Sequence, residues 1–139
     1  LRNEKGLMMS QIVYVSDTSS ELQDVRPVVI EQIRKWNLTP VWLEENEKQA
    51  ANLAETVRAK LASADCFISI VTFKRGWEPP GMDGKSLVEM EYETAAQLNK
   101  PRAIFLPRPG SPMGVYLLAR TVGDGLGDRK AQNDFWVRI

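Results

Sequence analysis

Gly84-Lys-Ser-Leu-Val-Glu-Met-Glu-Tyr-Glu-Thr-Ala-Ala-Gln-Leu-Asn-Lys-Pro101 reads as one short helix, entered through a capped turn and ended by a proline. Ser86 followed by Glu89 has the form of a capping box, in which each side chain satisfies a backbone donor of the first turn. Wound at about 100° per residue, the stretch puts Leu87, Met90, Thr94, Ala95 and Leu98 on one face. Glu91 falls inside that face, while Glu89 and Glu93 point away. A carboxylate in an apolar stripe is costly unless it is paired, hydrogen-bonded or protonated. Two explanations compete for Glu91. It is neutralised by an arginine such as Arg26 or Arg75, or it is held for use at a ligand site, where perturbed carboxylates gather.

The rest of the chain alternates strand and helix around this stretch. Residues 11–15 form a β-branched run and a buried strand, closed by the turn cluster 16–20. A helix over about 24–36 follows, with Val25, Val29, Ile33 and Trp36 as its apolar face, Pro27 in its first turn and Asn37 as its stop. A strand over 39–43 begins with Pro40, and 44–48 is a charged loop. Residues 50–64 are helical, with Leu53, Val57 and Leu61 at steps of four. Asp65 turns the chain into a strand at 66–71, whose Cys66 reads as an inert core residue. A long irregular loop over 72–85 leads into the opening helix, and 102–106 is a further strand.

This order predicts a three-layer α/β sandwich, a parallel sheet of four or five strands with helices on both faces. A single domain spans 9–139, with 1–8 as an added or disordered leader. Residues 107–139 form an irregular part that packs on the core. Within it 115–122 suits a helix or a strand, 123–128 is a loop, and 135–137 folds back.

Composition narrows the function. Acidic and basic residues balance at 18 each, which gives no footprint for nucleic acid. The apolar runs are too short to span a bilayer. One cysteine means no internal disulfide, so a cytoplasmic setting is expected. With no histidine, Ser-His-Asp and Cys-His machinery and nearly every zinc site are excluded; no metal site is expected.

In an open parallel sheet, ligands sit at the carboxyl ends of the strands. Segments 16–20, 44–48, 72–85 and the start of the Glu91 helix share that rim. Ser16, Asp17 and Thr18 either hold a phosphate at the start of the first helix or merely cap it. Lys74 and Arg75 either steady a phosphate or lie solvated in their loop. Trp77 either stacks on a base or plugs the loop. No Walker loop or Gly-x-Gly-x-x-Gly occurs.

A resemblance adds to this. Val13-Tyr-Val-Ser-Asp-Thr, then Leu22, Asp24 and Arg26, then Ser63-Ala-Asp65, Lys74-Arg-Gly76, and Ser86-Leu-Val-Glu-Met-Glu-Tyr92 with Ala95 and Lys100-Pro101 resemble an uncharacterised TIR-like domain family. The likeness covers residues 11–106 and is most specific in the last motif. Asp17 and Ser19 depart from the family's first loop, and Asn99 stands where it has a glycine. The resemblance implies a flavodoxin-like or TIR-like fold and a place in a larger signalling or defence protein. The family is similar in layout to TIR domains that hydrolyse NAD and to nucleoside deoxyribosyltransferases. Both carry a catalytic Glu nine residues before the Lys of a Gly-Lys pair. Counting back from Lys100 lands on Glu91, so position 91 is reached twice, by periodicity and by spacing.

The resemblance thus implies Glu91 as catalytic in cleaving an N-glycosidic bond of NAD or a nucleoside, with no separate cofactor. Ser16, Asp17, Thr18, Arg26, Lys74, Arg75, Trp77 and Ser86 are the expected ligand contacts, and Glu89 is a structural cap. The alternative is a non-catalytic module that self-associates or binds partners.

Overall fold

Ile12–Asp17 (β1) belongs at the centre of a sheet because both of its faces carry groups that want burial. The computed structural model describes residues 11–17, 22, 24–121 and 123–139. Among these, β1 is flanked by Thr39–Val41 (β2) and Cys66–Ile70 (β3), and Arg102–Phe105 (β4) closes the far edge. All three pairings are parallel and the spatial order is β2-β1-β3-β4. Tyr14 stands opposite Phe67 and Ser16 opposite Ser69.

Parallel strands need helical crossovers. These are Val25–Lys35 (α1) after β1, Glu45–Lys48 (α2) and Leu53–Ser63 (α3) after β2, and Leu87–Gln97 (α4) after β3. Strand alternation sends Val13 and Val15 to one face, where they meet Val29 and Ile33 of α1. It sends Tyr14 and Phe67 to the other, against Val57 and Leu61 of α3 and Met90 and Ala95 of α4. The Tyr14 and Phe67 rings stack there at 5.9 Å. Leu61 is wholly buried, so its truncation to alanine costs about 2–5 kcal/mol. The three-layer parallel α/β architecture is thus present, with four strands among the described residues.

Several elements differ from expectation. In α1 the buried side chains are Ile30 and Ile33, while Trp36 is exposed and Val25 half-buried. Asn37, at φ 59°, does end that helix. Residues 44–48 are not a loop: α2 is a helical turn with a reciprocal cap between Glu44 and Glu47. Helix α3 starts at Leu53, three residues later than expected. Cys66 is half-buried, and burial together with Asp65 pushes its thiol up. Asp65 accepts a hydrogen bond from the Ile12 backbone N–H at 2.6 Å, fixing the entry to β1.

The C-terminal part is helical, not irregular. Pro112–Ala119 (α5) is capped by Ser111, and Leu126–Arg138 (α6) begins inside the expected loop. A Cβ on Gly114 would meet the Arg108 carbonyl oxygen at 1.8 Å, so only glycine fits that first turn of α5. Phe135 of α6 is buried with Val71 and Val88, whereas Val137 is exposed. The expected leader, 1–8, lies outside the described residues. Among the described residues, no helix is long and apolar enough to cross a membrane.

Candidate active site

Helix α4 is aimed by its ends. Ser86 Oγ accepts a hydrogen bond from the Glu89 N–H at 3.2 Å, and the Leu87 N–H donates to the Trp77 carbonyl at 2.8 Å. At the far end Asn99 takes φ 53°, the left-handed conformation that usually selects glycine, and lets Lys100 N–H close on Ala95. So aimed, α4 turns Glu91 inward to 3 % exposure.

β1 supplies what receives it. Residues 14 and 16 lie two apart and share the α3/α4 face. Tyr14 Oη donates to Glu91 Oε2, and Ser16 Oγ donates to Oε1 at 2.8 Å. Hydroxyl donors of this kind offset the desolvation of a buried carboxylate. Burial, then the Glu91 charge, pushes the Tyr14 phenol well above its usual range, so it stays a donor at any ordinary pH.

Glu91 is not sealed in. It lines a half-open cleft together with Val15, Ser16, Arg26, Trp42, Leu43, Lys48 and Leu87. Counted out to solvent, its empty volume is about 230 Å³, room for part of a ligand and not for a whole dinucleotide. The cleft lies beyond the carboxyl ends of β1 and β2. That is on the β2 side of the β1/β3 position where the strand order reverses.

The wall opposite α4 is braced from behind. Lys60 Nζ donates to the Trp42 carbonyl at 2.9 Å and to Glu47 at 2.6 Å. The Lys48 ammonium reaches Glu45 at 2.8 Å. Hydrogen bonding to Lys48 and its charge, with a smaller contribution from the charge of Arg26, outweigh burial and hold the Glu45 carboxyl below its usual range.

The expected site residues separate into groups. Glu91, Ser16 and Arg26 come together in the cleft. Asp17 ends β1 and Thr18 lies outside the described residues; the Asp17 side chain does too. Ser86 is buried and occupied as the α4 cap. Lys74, Arg75 and Trp77 do not line the cleft. Lys74 is half-buried, with its N–H on Thr72 Oγ1, and Trp77 is exposed. Arg75 pairs with Glu78 and Asp128, both at 3.1 Å, and so is not the arginine that neutralises Glu91. Glu89 does not return the capping bond. It pairs with Arg138 instead, which also reaches Glu93 at 3.1 Å. Sequence reasoning missed Trp42, Leu43 and Lys48 in the cleft. Their one advance signal was position, on the segment that follows β2 at the rim.

The all-parallel four-strand sheet with helical crossovers defines a three-layer α/β class of domain. Within it, this chain belongs to the family described as a Domain of unknown function (DUF4062), which it matches over residues 12–112, well over half its length. The match runs from β1 to the start of α5 and includes every residue of the cleft. No curated protein and no solved structure matches the chain. Among the described residues, no group of acidic, cysteine or histidine side chains is arranged to hold a metal ion.

Proposed function

We propose that this is a TIR-like domain that binds a nucleotide-type ligand and hydrolyses its N-glycosidic bond, with Glu91 as the catalytic carboxylate. One observation carries the reading: Glu91 is buried, oriented by Tyr14 and Ser16, and yet borders an open cleft. A carboxylate placed for packing alone has no need of that opening.

The chemistry is the one that the resemblance to NAD-hydrolysing TIR domains and nucleoside deoxyribosyltransferases implies for Glu91. The bond between ribose C1′ and the base nitrogen breaks, and its electron pair leaves with the base. The sugar carbon becomes positively charged in an oxocarbenium-like transition state. A carboxylate held beneath it stabilises that charge or bonds to C1′ until water replaces it. The products are free base and a sugar with a hydroxyl at C1′, and the water's proton passes to the base or to solvent. Tyr14 and Ser16 would keep the carboxylate from turning away as charge develops. NAD and nucleosides are the substrates to try, and no separate cofactor is required.

The test is release of base from NAD, nucleotides and deoxynucleosides by wild type beside Glu91→Gln. Wild type is expected to release base from at least one, and Glu91→Gln to be slower by roughly a hundredfold or more. Equal rates in the two proteins would remove Glu91 from catalysis.

A second reading rests on a different surface. Phe105 and Leu106 at the end of β4, and Met113, Val115, Tyr116 and Leu118 of α5, are large apolar residues left exposed. They support a non-catalytic module of a signalling or defence protein, working by self-association or partner binding. Absence of base release, together with concentration-dependent assembly lost on Tyr116→Glu, would favour it.

A further inference from the structure

Among the described residues, three charged side chains line the cleft: Glu91 of α4, Arg26 from the first turn of α1, and Lys48 from α2. The carboxylate suits a sugar carbon that becomes positive. The cations that share the lining suit an anionic group on the same ligand. We propose, resting on the reading of Glu91 above, that Lys48 and Arg26 receive the 5′-phosphate of the substrate, so that the site takes nucleoside 5′-phosphates in preference to nucleosides.

Lys48 is equipped for this. Its side chain is 19 % exposed, and its partner Glu45 is 80 % exposed. An ion pair that open to water holds its lysine weakly, so a phosphate dianion can take the ammonium from it. The wall that carries Lys48 is already fixed before any ligand arrives. The Glu44–Glu47 cap closes α2, and Lys60 ties both Glu47 and the Trp42 carbonyl to α3. Glu47 is therefore occupied by Lys60 and does not face the phosphate as an unbalanced charge. Arg26 adds a planar donor suited to two phosphate oxygens. Glu91, Arg26 and Lys48 line one cleft, so a sugar beside the carboxylate and its 5′-phosphate beside the cations belong to a single ligand.

The experiment compares adenosine with AMP, and nicotinamide riboside with its 5′-monophosphate, by calorimetry on wild type and Glu91→Gln. The monophosphates should bind at least about tenfold tighter than the nucleosides, and the preference should shrink with added salt. Lys48→Met, which keeps the packing of the stem, should bring the ratio close to one, and Lys48→Arg should restore most of it. Thermal melts confirm that each variant folds. Equal affinity for the two members of a pair, a ratio that Lys48→Met leaves in place, or no binding of any of the four compounds overturns the inference. The two proposals fail separately. Base released from nucleosides and monophosphates with equal kcat/KM would sink the phosphate site and leave the hydrolase standing. A phosphate preference that needs Lys48, in a protein that releases no base, would do the reverse.

Discussion

Beyond β1 and β2 the carboxyl rim of the sheet opens into the cleft that Glu91 borders. Beyond β3 the equivalent rim is filled. Gln132 Nε2 and Trp136 Nε1 of α6 both donate to the Thr72 carbonyl, at 2.6 and 3.0 Å. Phe73 stacks on Trp136 at 5.0 Å, and Arg75 reaches back to Asp128. Both sides carry basic side chains in the chain that follows a parallel strand. One keeps its cations beside an opening; the other spends its cation on a later helix. A position after a rim strand thus does not by itself bring a basic residue to the cleft, as Arg75 shows.

Substitutions on the filled side should act on stability, and those on the open side on ligand chemistry. The largest effect is expected from Phe135→Ala, which empties a site that is 2 % exposed between Val71 and Val88. It should cost about 3–5 kcal/mol in denaturant unfolding. A cost below about 1 kcal/mol would mean that α6 is not seated on the rim as described. Tyr14→Phe comes next, because it leaves the buried Glu91 short of a donor, at about 1–3 kcal/mol. It carries a pH signature as well. The folded phenol is raised above its ordinary 10.0, so its contribution is full below pH 10 and fades as the unfolded phenol ionises. Wild type should lose about 1.4 kcal/mol per pH unit above that point from this group, and Tyr14→Phe should lack that component.

A smaller effect sharpens the role of α6. Burial pushes Glu93 up, but hydrogen bonds and charge from Lys85 and Arg138 outweigh it and hold the carboxyl below its ordinary 4.5. Its contribution is therefore present above about pH 4.5 and lost as pH falls through the lower folded value. Glu93→Gln should reduce the acid sensitivity of unfolding by about 1 kcal/mol or less. The smallest is Arg75→Ala, expected to cost about 0.5–1 kcal/mol and to leave any base release within a factor of about two. A large loss of activity there would bring the filled side back into the site.

Much of this was legible because it is local. The β-branched runs mark β1 and β3, and helical spacing alone turns Glu91 inward. What escaped is long-range or unpatterned. The glutamates of residues 44–48 look like a solvated loop, since a Glu44–Glu47 cap lacks the usual serine or threonine. Helix α6 follows Gly123 and Gly125 and shows no apolar stripe, so nothing in its own sequence announces it. Arg75 and Asp128 lie 53 residues apart, and no spacing rule joins them. Trp36 keeps helical register with Ile33 and yet stays in water, because α1 ends there and its ring lies beyond the core that Ile33 enters.

Pro40 has one more consequence. Thr39 N–H is turned inward to Gln11, so the next backbone nitrogen in β2 faces outward, and it is a proline with no hydrogen to give. The three-residue β2 is thereby a blunt border, whereas β4, the other edge strand, has no proline and is largely exposed. Any visitor that lengthens this ribbon has a single side on which to join, the one farther from the cleft.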